Sequence, residues 1–261
     1  MESFGYCNLS AVPVRASASH TSEMVNQLLF GEVFEILDHA DEFLHIRGTL
    51  DKYEGFISRK QYLPLTKSEF EEIQRQPAQF PANPITIITE SVSGEWFRIV
   101  AGSSLRGFQD GRLAIAGKVF VYSEPLQQPG KTVNPESLIQ TAIQFLGAPY
   151  LWGGRSLFGI DCSGLTQVVY NIHGVALQRD ARYQAQAGET IHLLSESMPG
   201  DLAFFDNEDG IITHVGIILP DHRIIHASGV VQTGQIDHHG IYDRTRKNYS
   251  HKLRLIKRVI G

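Results

Sequence analysis

Runs of β-branched and aromatic residues, split by polar turns at close spacing, fill the first half of the chain. Residues 28–37, 43–47 and 53–57 predict the strands of a small antiparallel barrel, with 38–42 as a hairpin loop. Thr66-Lys67-Ser68-Glu69 followed by Phe70 and Ile73 predicts a short capped helix, and Pro77, Pro81 and Pro84 end it. The first barrel is therefore expected over 1–63 and a linker with a short helix over 64–84. A second β pattern at 85–88, 96–100, 113–116 and 118–122 predicts a second, degenerate barrel over 85–125.

Beyond a Pro- and Gly-containing boundary at 125–130 the period changes. Asn134 as N-cap and Pro135 in the first turn open a helix with Leu138, Ile139, Ala142, Phe145 and Leu146 on its apolar face, closed by Gly147. A second helix is expected over 162–172, with Leu165, Val168, Val169 and Ile172 inside and Gly174 at its end. Strands follow at 201–205, 214–219 and 223–228. Helices before a strand meander predict an α+β domain over 126–261. The expected fold is multidomain: two small all-β barrels, then an α+β domain.

Composition narrows the classes. The 261 residues are 42% hydrophobic and 20% charged, which supports real cores and excludes wholesale disorder. A formal net charge of -5 gives no global attraction to nucleic acid or anionic lipid, and no nucleic-acid partner is expected. The local basic tail of Arg244, Arg246, Lys247, Lys252, Arg254, Lys257 and Arg258 reads as the solvated face of a terminal strand. No run approaches the roughly 20 apolar residues of a membrane span, and Met1-Glu2-Ser3-Phe4-Gly5-Tyr6 lacks the basic and apolar regions of a secretory signal. A cytoplasmic location without membrane attachment is the expectation. Cys7 and Cys162 make neither a disulfide framework nor, alone, a structural zinc site.

Cys162 stands directly before a helical pattern in Gly159-Ile160-Asp161-Cys162-Ser163-Gly164. The positive end of the helix macrodipole and free backbone N–H groups favour a thiolate there. Flanking glycines allow a substrate to approach the backbone. Taken alone, the residue is either a nucleophile or a buried structural cysteine. His214 opens one predicted strand and His226 lies in the next. A turn at 219–222 pairs His214 with Ala227 or, one register over, with His226 itself. Either register brings the two imidazoles to one end of a hairpin. His214 then looks across the small surface left by Gly216, as a base for the thiol, with His226 fixing its tautomer. Two ordinary half-buried histidines are the other reading. Zinc is a competing use of Cys162, His214 and His226, but no Cys-x-x-Cys or His-x-x-x-His pair stands in the sequence, so no metal or other cofactor is expected. His238 and His239 are expected in a solvated turn.

These residues also carry a resemblance. Gly147-Ala148-Pro149-Tyr150-Leu151-Trp152-Gly153-Gly154, Asp161-Cys162-Ser163-Gly164, Pro199-Gly200-Asp201-Leu202 and His214-Val215-Gly216-Ile217 resemble, in order and spacing, the NlpC family of bacterial cell-wall cysteine peptidases. The resemblance spans about residues 126–240. It implies a pared-down papain-like fold that cleaves peptidoglycan stem peptides, with a catalytic triad at Cys162, His214 and His226 and with Tyr150 near the oxyanion site. The first half is similar to the bacterial SH3-like modules that precede this domain in the branch resembling dipeptidyl-peptidase VI. That branch implies hydrolysis of the γ-D-Glu–diamino acid bond in stem fragments with a free N-terminal L-Ala, during cell-wall recycling. The peptide L-Ala-γ-D-Glu-diamino acid, ending in L-Lys or meso-diaminopimelate, is the implied partner. Its amine end is expected at Tyr53 and Glu23 of the first module, with Glu32 as the second choice for the carboxylate, and at Asp161 and Ser163 beside the nucleophile. Asp180 belongs to a further matching segment, Arg179-Asp180-Ala181, in which Ala181 stands where the family pattern has Ser. An amidase or acyltransferase on the same fold, and a non-catalytic wall-binding module, are the other functions such a chain serves.

Overall fold

The structure is a computed structural model and describes residues 3–243 and 246–260. Arg244 of the basic tail, and Met1 and Glu2 of the leading segment, lie outside the described residues. The chain divides into two compact units: Met1–Pro129 with Trp152–Leu157, and Gly130–Leu151 with Phe158–Gly261.

The first unit opens with β1 (Phe4–Tyr6), β2 (Ala11–Arg15), β3 (Met24–Leu29), β4 (Val33–Ala40), β5 (Phe43–Gly48), β6 (Glu54–Ser58) and β7 (Leu63–Leu65), in one sheet of order β3-β2-β6-β5-β4-β1-β7. The apolar run at 28–37, expected as one strand, is two. Gly31 turns the chain at φ +90°, where a Cβ would overlap the Ser104 carbonyl. The expected loop at 38–42 is shorter, since His39 and Ala40 pair with Leu44 and Phe43 and only Asp41 and Glu42 turn. A bulge at Leu37 absorbs the extra residue.

Helix α1 (Lys67–Arg75) has the predicted capping box, in which Thr66 and Glu69 satisfy each other's backbone N–H groups. The segment around it does not behave as a free linker. Phe70 stacks on Phe4 with ring centroids 4.2 Å apart, and Phe70 and Ile73 enter the core. After β8 (Phe80–Pro81) come β9 (Ile85–Glu90), β10 (Trp96–Val100), β11 (Arg112–Ile115) and β12 (Lys118–Val121), in the order β10-β9-β12-β11. β13 (Leu126–Gln127) returns to pair with β8. The strands of the expected second, degenerate barrel pack directly on the first module. Phe30 from the first module meets Phe120 edge-on at 5.3 Å and Phe97 at 5.7 Å, and the two modules share one apolar cluster.

The short strand β14 (Arg155–Ser156) also packs in this unit. Arg155 is buried, and its guanidinium forks onto Glu32 at 2.8 and 2.9 Å while bonding the Gln27 carbonyl at 2.7 Å. Glu32, the second choice for a ligand-binding carboxylate, is thereby committed to the interior. Its carboxylate also accepts from the Leu29 N–H.

The second unit begins with α2 (Pro135–Ile143), capped by Asn134 as expected, although Leu146 turns out to solvent past the helix end. After β15 (Gly159–Ile160), α3 (Cys162–Ile172) is buried on almost every side. Then come α4 (Ala181–Gln184), β16 (Glu189–Ile191), β17 (Leu202–Asp206), β18 (Ile212–Leu219), β19 (Arg223–Ser228), β20 (Val230–Asp237), β21 (Gly240–Asp243) and β22 (Asn248–Arg258). The sheet order is β16-β22-β17-β18-β19-β20-β21, and β22 also pairs with β21, so six strands close into a barrel. Ala203, Phe205, Ile218, Ile224, Ile236, Ile241 and Ile256 form its core. Arg258 binds Asp201 through two nitrogens, which ties down part of the basic tail. His238 and His239 occupy the β20–β21 turn. Among the described residues no helix is long and apolar enough to cross a membrane.

Removing one partner of a buried ion pair strands the other, at a cost of about 3–5 kcal/mol. Arg155→Ala is therefore expected to lower the unfolding free energy by that amount in urea titrations, with Arg155→Lys intermediate because the fork is lost. An unchanged urea midpoint in Arg155→Ala would contradict a structural role for this pair.

Candidate active site

Cys162 is the first residue of α3, and the carboxylate of Asp161 caps that helix by accepting from the Gly164 N–H at 2.7 Å. Asp161 is itself buried and held by Arg179, whose two terminal nitrogens reach its oxygens at 2.6 and 3.0 Å. Arg179 also donates to the Ser163 hydroxyl at 2.9 Å. Asp161 and Ser163 thus stand on either side of the cysteine, as the motif requires, and both are part of the scaffold of the helix start. Arg179 had no assigned role in the sequence. The signal was a charged residue next to Asp180 that has to be buried. Asp180 precedes α4, makes no side-chain capping bond to it, and lies 3.5 Å from Arg182.

The Cys162 sulfur rests against β18. Its thiol reaches the Thr213 carbonyl at 4.0 Å, and the Val215 N–H bonds to it. These two residues flank His214. The sulfur therefore lies at the backbone that carries the candidate base. Cys162 is 6% exposed. The expected thiolate is not what the surroundings favour: burial and the Asp161 charge push the thiol up to about 12, against the Val215 and Ser163 N–H groups and Arg179. A helix N-terminus contributes partial charges only, and here desolvation outweighs them.

His214 is also buried, and burial with the nearby rings of His251 and His226 holds its imidazole well below the usual range. Its Nε2 meets Nδ1 of His226 at 2.8 Å. Burial, with His251, lowers His226 to about 4. The register that brings the pair together is neither of the two expected. Leu219 pairs with Arg223 and Ile217 with Ile225, around a turn in which Asp221 and His222 adopt positive φ. Continued, this register sets His226 opposite Gly216, so the two rings meet on the diagonal.

The surface before His214 is less open than expected. His251 on β22 stacks on the His214 ring with centroids 4.1 Å apart, and Phe205 packs against both rings at 5.6 and 5.9 Å. Sequence reasoning missed His251. Its only signal was its place in an alternating strand, where Leu253 follows on the same face.

Tyr150 is half-buried, and its backbone N–H donates to the Gly229 carbonyl at 2.9 Å. Burial, with the charges of Cys162 and Asp161, raises its hydroxyl to about 12. It stays a protonated donor at neutral pH. In the first unit, Glu23 is exposed and its carbonyl accepts from the Ala16 N–H. Tyr53 is half-buried in the β5–β6 turn, where its N–H bonds Asp51, and it is not among the core residues.

Residues 147–250 match the NlpC/P60 family, and residues 14–61 match the bacterial dipeptidyl-peptidase SH3 domain. The chain carries an NlpC/P60 domain and a bacterial SH3 domain. The NlpC/P60 family is one of peptidoglycan hydrolases, so the match supports a hydrolase reading of the chain. It is 44% identical over 103 residues to the gamma-D-glutamyl-L-lysine dipeptidyl-peptidase of Bacillus subtilis (strain 168), covering 39% of this chain and 33% of that protein. It is 26% identical over 226 residues to dipeptidyl-peptidase 6 of Lysinibacillus sphaericus, covering 79% and 81%. The stretches matched in the Bacillus subtilis protein and in its Bacillus cereus namesake span only about a third of those relatives. The crystal structure of an NlpC/P60 family protein from Bacillus cereus superposes with a TM-score of 0.86 at 18% identity, over 99% of this chain and all of that one, which establishes a shared fold.

The depressed imidazoles set an acid limit on the NlpC/P60 domain. Between about pH 4 and the ordinary histidine value of 6.5, unfolded chains bind protons that folded His226 refuses. Stability therefore rises with pH through that window and is lost as pH falls through it. In metal-free buffer, the urea midpoint of the wild type is expected to drop between pH 6.5 and 4.5 more steeply than that of His226→Gln. Parallel slopes in the two proteins would contradict a neutral buried His226.

Proposed function

We propose that the chain is a cysteine peptidase that hydrolyses the γ-D-Glu–diamino acid bond of peptidoglycan stem peptides bearing a free N-terminal L-Ala, in cytoplasmic cell-wall recycling. The observation that carries this reading is the seat of the Cys162 thiol on the backbone either side of His214, with His214 in turn bonded to His226. The names of the relatives support the bond that is cut.

The chemistry follows from two neutral groups. At neutral pH the thiol is protonated and His214 is unprotonated. With His226 accepting from Nε2–H, the free lone pair of His214 is on Nδ1. As sulfur attacks the γ-carbonyl, its proton passes to Nδ1, so no buried ion pair is maintained in the resting site. The oxyanion is met by the Cys162 backbone N–H and by the Tyr150 hydroxyl, donors of the kind that contribute most in acyl transfer. The imidazolium then protonates the amine of the departing diamino acid. Water, deprotonated by His214, hydrolyses the thioester and releases L-Ala-γ-D-Glu. An ammonium leaving water requires carboxylate and hydroxyl acceptors, which is the chemistry that Glu23 and Tyr53 offer.

Cys162→Ala is expected to abolish release of L-Ala-γ-D-Glu from L-Ala-γ-D-Glu-L-Lys and its meso-diaminopimelate counterpart, read by mass spectrometry, with the fold retained by circular dichroism. Residual turnover in that variant would remove the mechanism. Tyr150→Phe is expected to reduce kcat by roughly 10²-fold with little change in KM, the size of effect of one lost oxyanion donor. N-acetylation of the substrate should suppress turnover of the wild type; an equal rate on the blocked peptide would move the reading to a general amidase on this fold.

A further inference from the structure

We infer that His214, His226 and His251 form a binding site for a divalent transition-metal ion of the zinc class, and that the bound ion switches off thiol chemistry by capturing the base. The inhibitory half rests on the function proposed above; the binding half stands on the geometry alone.

One ligand nitrogen from each of the three rings lies within 4.8 Å of the other two. The rings come from β18, β19 and β22 of one closed barrel, so their backbones are fixed by ladder bonds. His214 pairs across the sheet with Phe205, and His251 with Ile241, both members of the barrel core. On that face the neighbouring positions are apolar, as at Ile218, Ile224 and Leu253. The bond between His214 and His226 accounts for two of the rings. His251 adds a third imidazole where an aliphatic side chain would serve the packing.

Three imidazoles form a donor set suited to zinc, which takes three protein ligands and leaves a fourth position to water. With metal–nitrogen distances near 2.1 Å, tetrahedral ligand atoms stand roughly 3.4 Å apart. The 2.8 Å contact between His214 and His226 would open slightly, and the longer separations would close by rotation of His251 about its side-chain bonds. At rest Ser250 Oγ meets the His251 Nδ1 at 2.9 Å, which leaves Nε2 as the nitrogen that turns to the ion. Gly240, where a Cβ would overlap the His251 carbonyl, lets β22 approach closely enough to bring this ring in. An open groove bordered by His226, Ser228, Gln232, Gly234 and Ser250 supplies the entry path.

The consequence for the reaction follows from proton bookkeeping. Catalysis uses the His214 tautomer with hydrogen on Nε2 and a lone pair on Nδ1. Coordination through Nε2 needs that lone pair instead, so the hydrogen moves to Nδ1 of the same ring. No proton is released and nothing is oxidised, but His214 then has no lone pair for the thiol proton.

The test is calorimetric titration of zinc into the chelator-treated full chain. The expected result is one ion per chain at a Kd of about 1 μM or tighter, binding retained in Cys162→Ala, and binding at least about 30-fold weaker in His251→Gln and in His251→Phe. The Phe variant keeps a ring in the stack and guards against a simple packing loss. Zinc should abolish tripeptide hydrolysis by the wild type, while at the same concentration each His251 variant keeps most of its own metal-free rate, whatever that rate is. Equal zinc affinity in wild type and both His251 variants, or loss of binding in Cys162→Ala, overturns the site. Zinc bound with turnover unaffected overturns the inhibition. Absence of tripeptide turnover in the metal-free wild type overturns the proposed function and the inhibition with it, while calorimetry still decides the site.

Discussion

The buried pair of Asp161 and Arg179 is the constraint on which the candidate site depends. It holds the first turn of α3 in place, and that turn carries the sulfur. Asp161 is tied from two directions: its own helix supplies the Gly164 N–H, and the segment before α4 supplies the guanidinium. Breaking a pair with this burial costs about 3–5 kcal/mol, a large share of the roughly 5–15 kcal/mol that holds a domain together. The pair also sets the charge next to the nucleophile. Asp161 opposes ionisation of Cys162 while Arg179 favours it, and the two partly cancel at the sulfur.

That cancellation leaves desolvation as the deciding effect throughout the site. The thiol and the tyrosine hydroxyl both move upward, and the three histidines downward, each because burial disfavours its charged form. The resting site is therefore a set of neutral groups joined by hydrogen bonds. In the proposed reaction, charge arises only when sulfur attacks. A site of this kind avoids keeping a buried ion pair in the absence of substrate, which would be costly at this depth.

Local chemistry was legible where one residue decides one feature. Thr66 and Glu69 announced α1, Asn134 and Pro135 announced α2, and the Gly-Ile-Asp-Cys-Ser-Gly run announced the start of α3. Less legible were features set by a clash or a partner far along the chain. Gly31 splits an apolar run because Ser104 stands against it, and the linker helix becomes core because Phe70 finds Phe4. The one-residue error in the β18–β19 register had the same origin. Turn length is decided by which residues accept positive φ, and Asp221 and His222 both do.

From the sequence by itself came a candidate nucleophile, two candidate imidazole partners and the order of β and α+β regions; the order rests on periods of 2 and 3.6 residues, and the candidates on short motifs and the resemblance they carry. Closure of the barrel was decided only in three dimensions. So were the burial that keeps Cys162 protonated, the commitment of Glu32 to Arg155 and the arrival of His251 beside His214. Each of these depends on contacts between segments tens of residues apart, and desolvation and ion pairing act through the distances that folding creates.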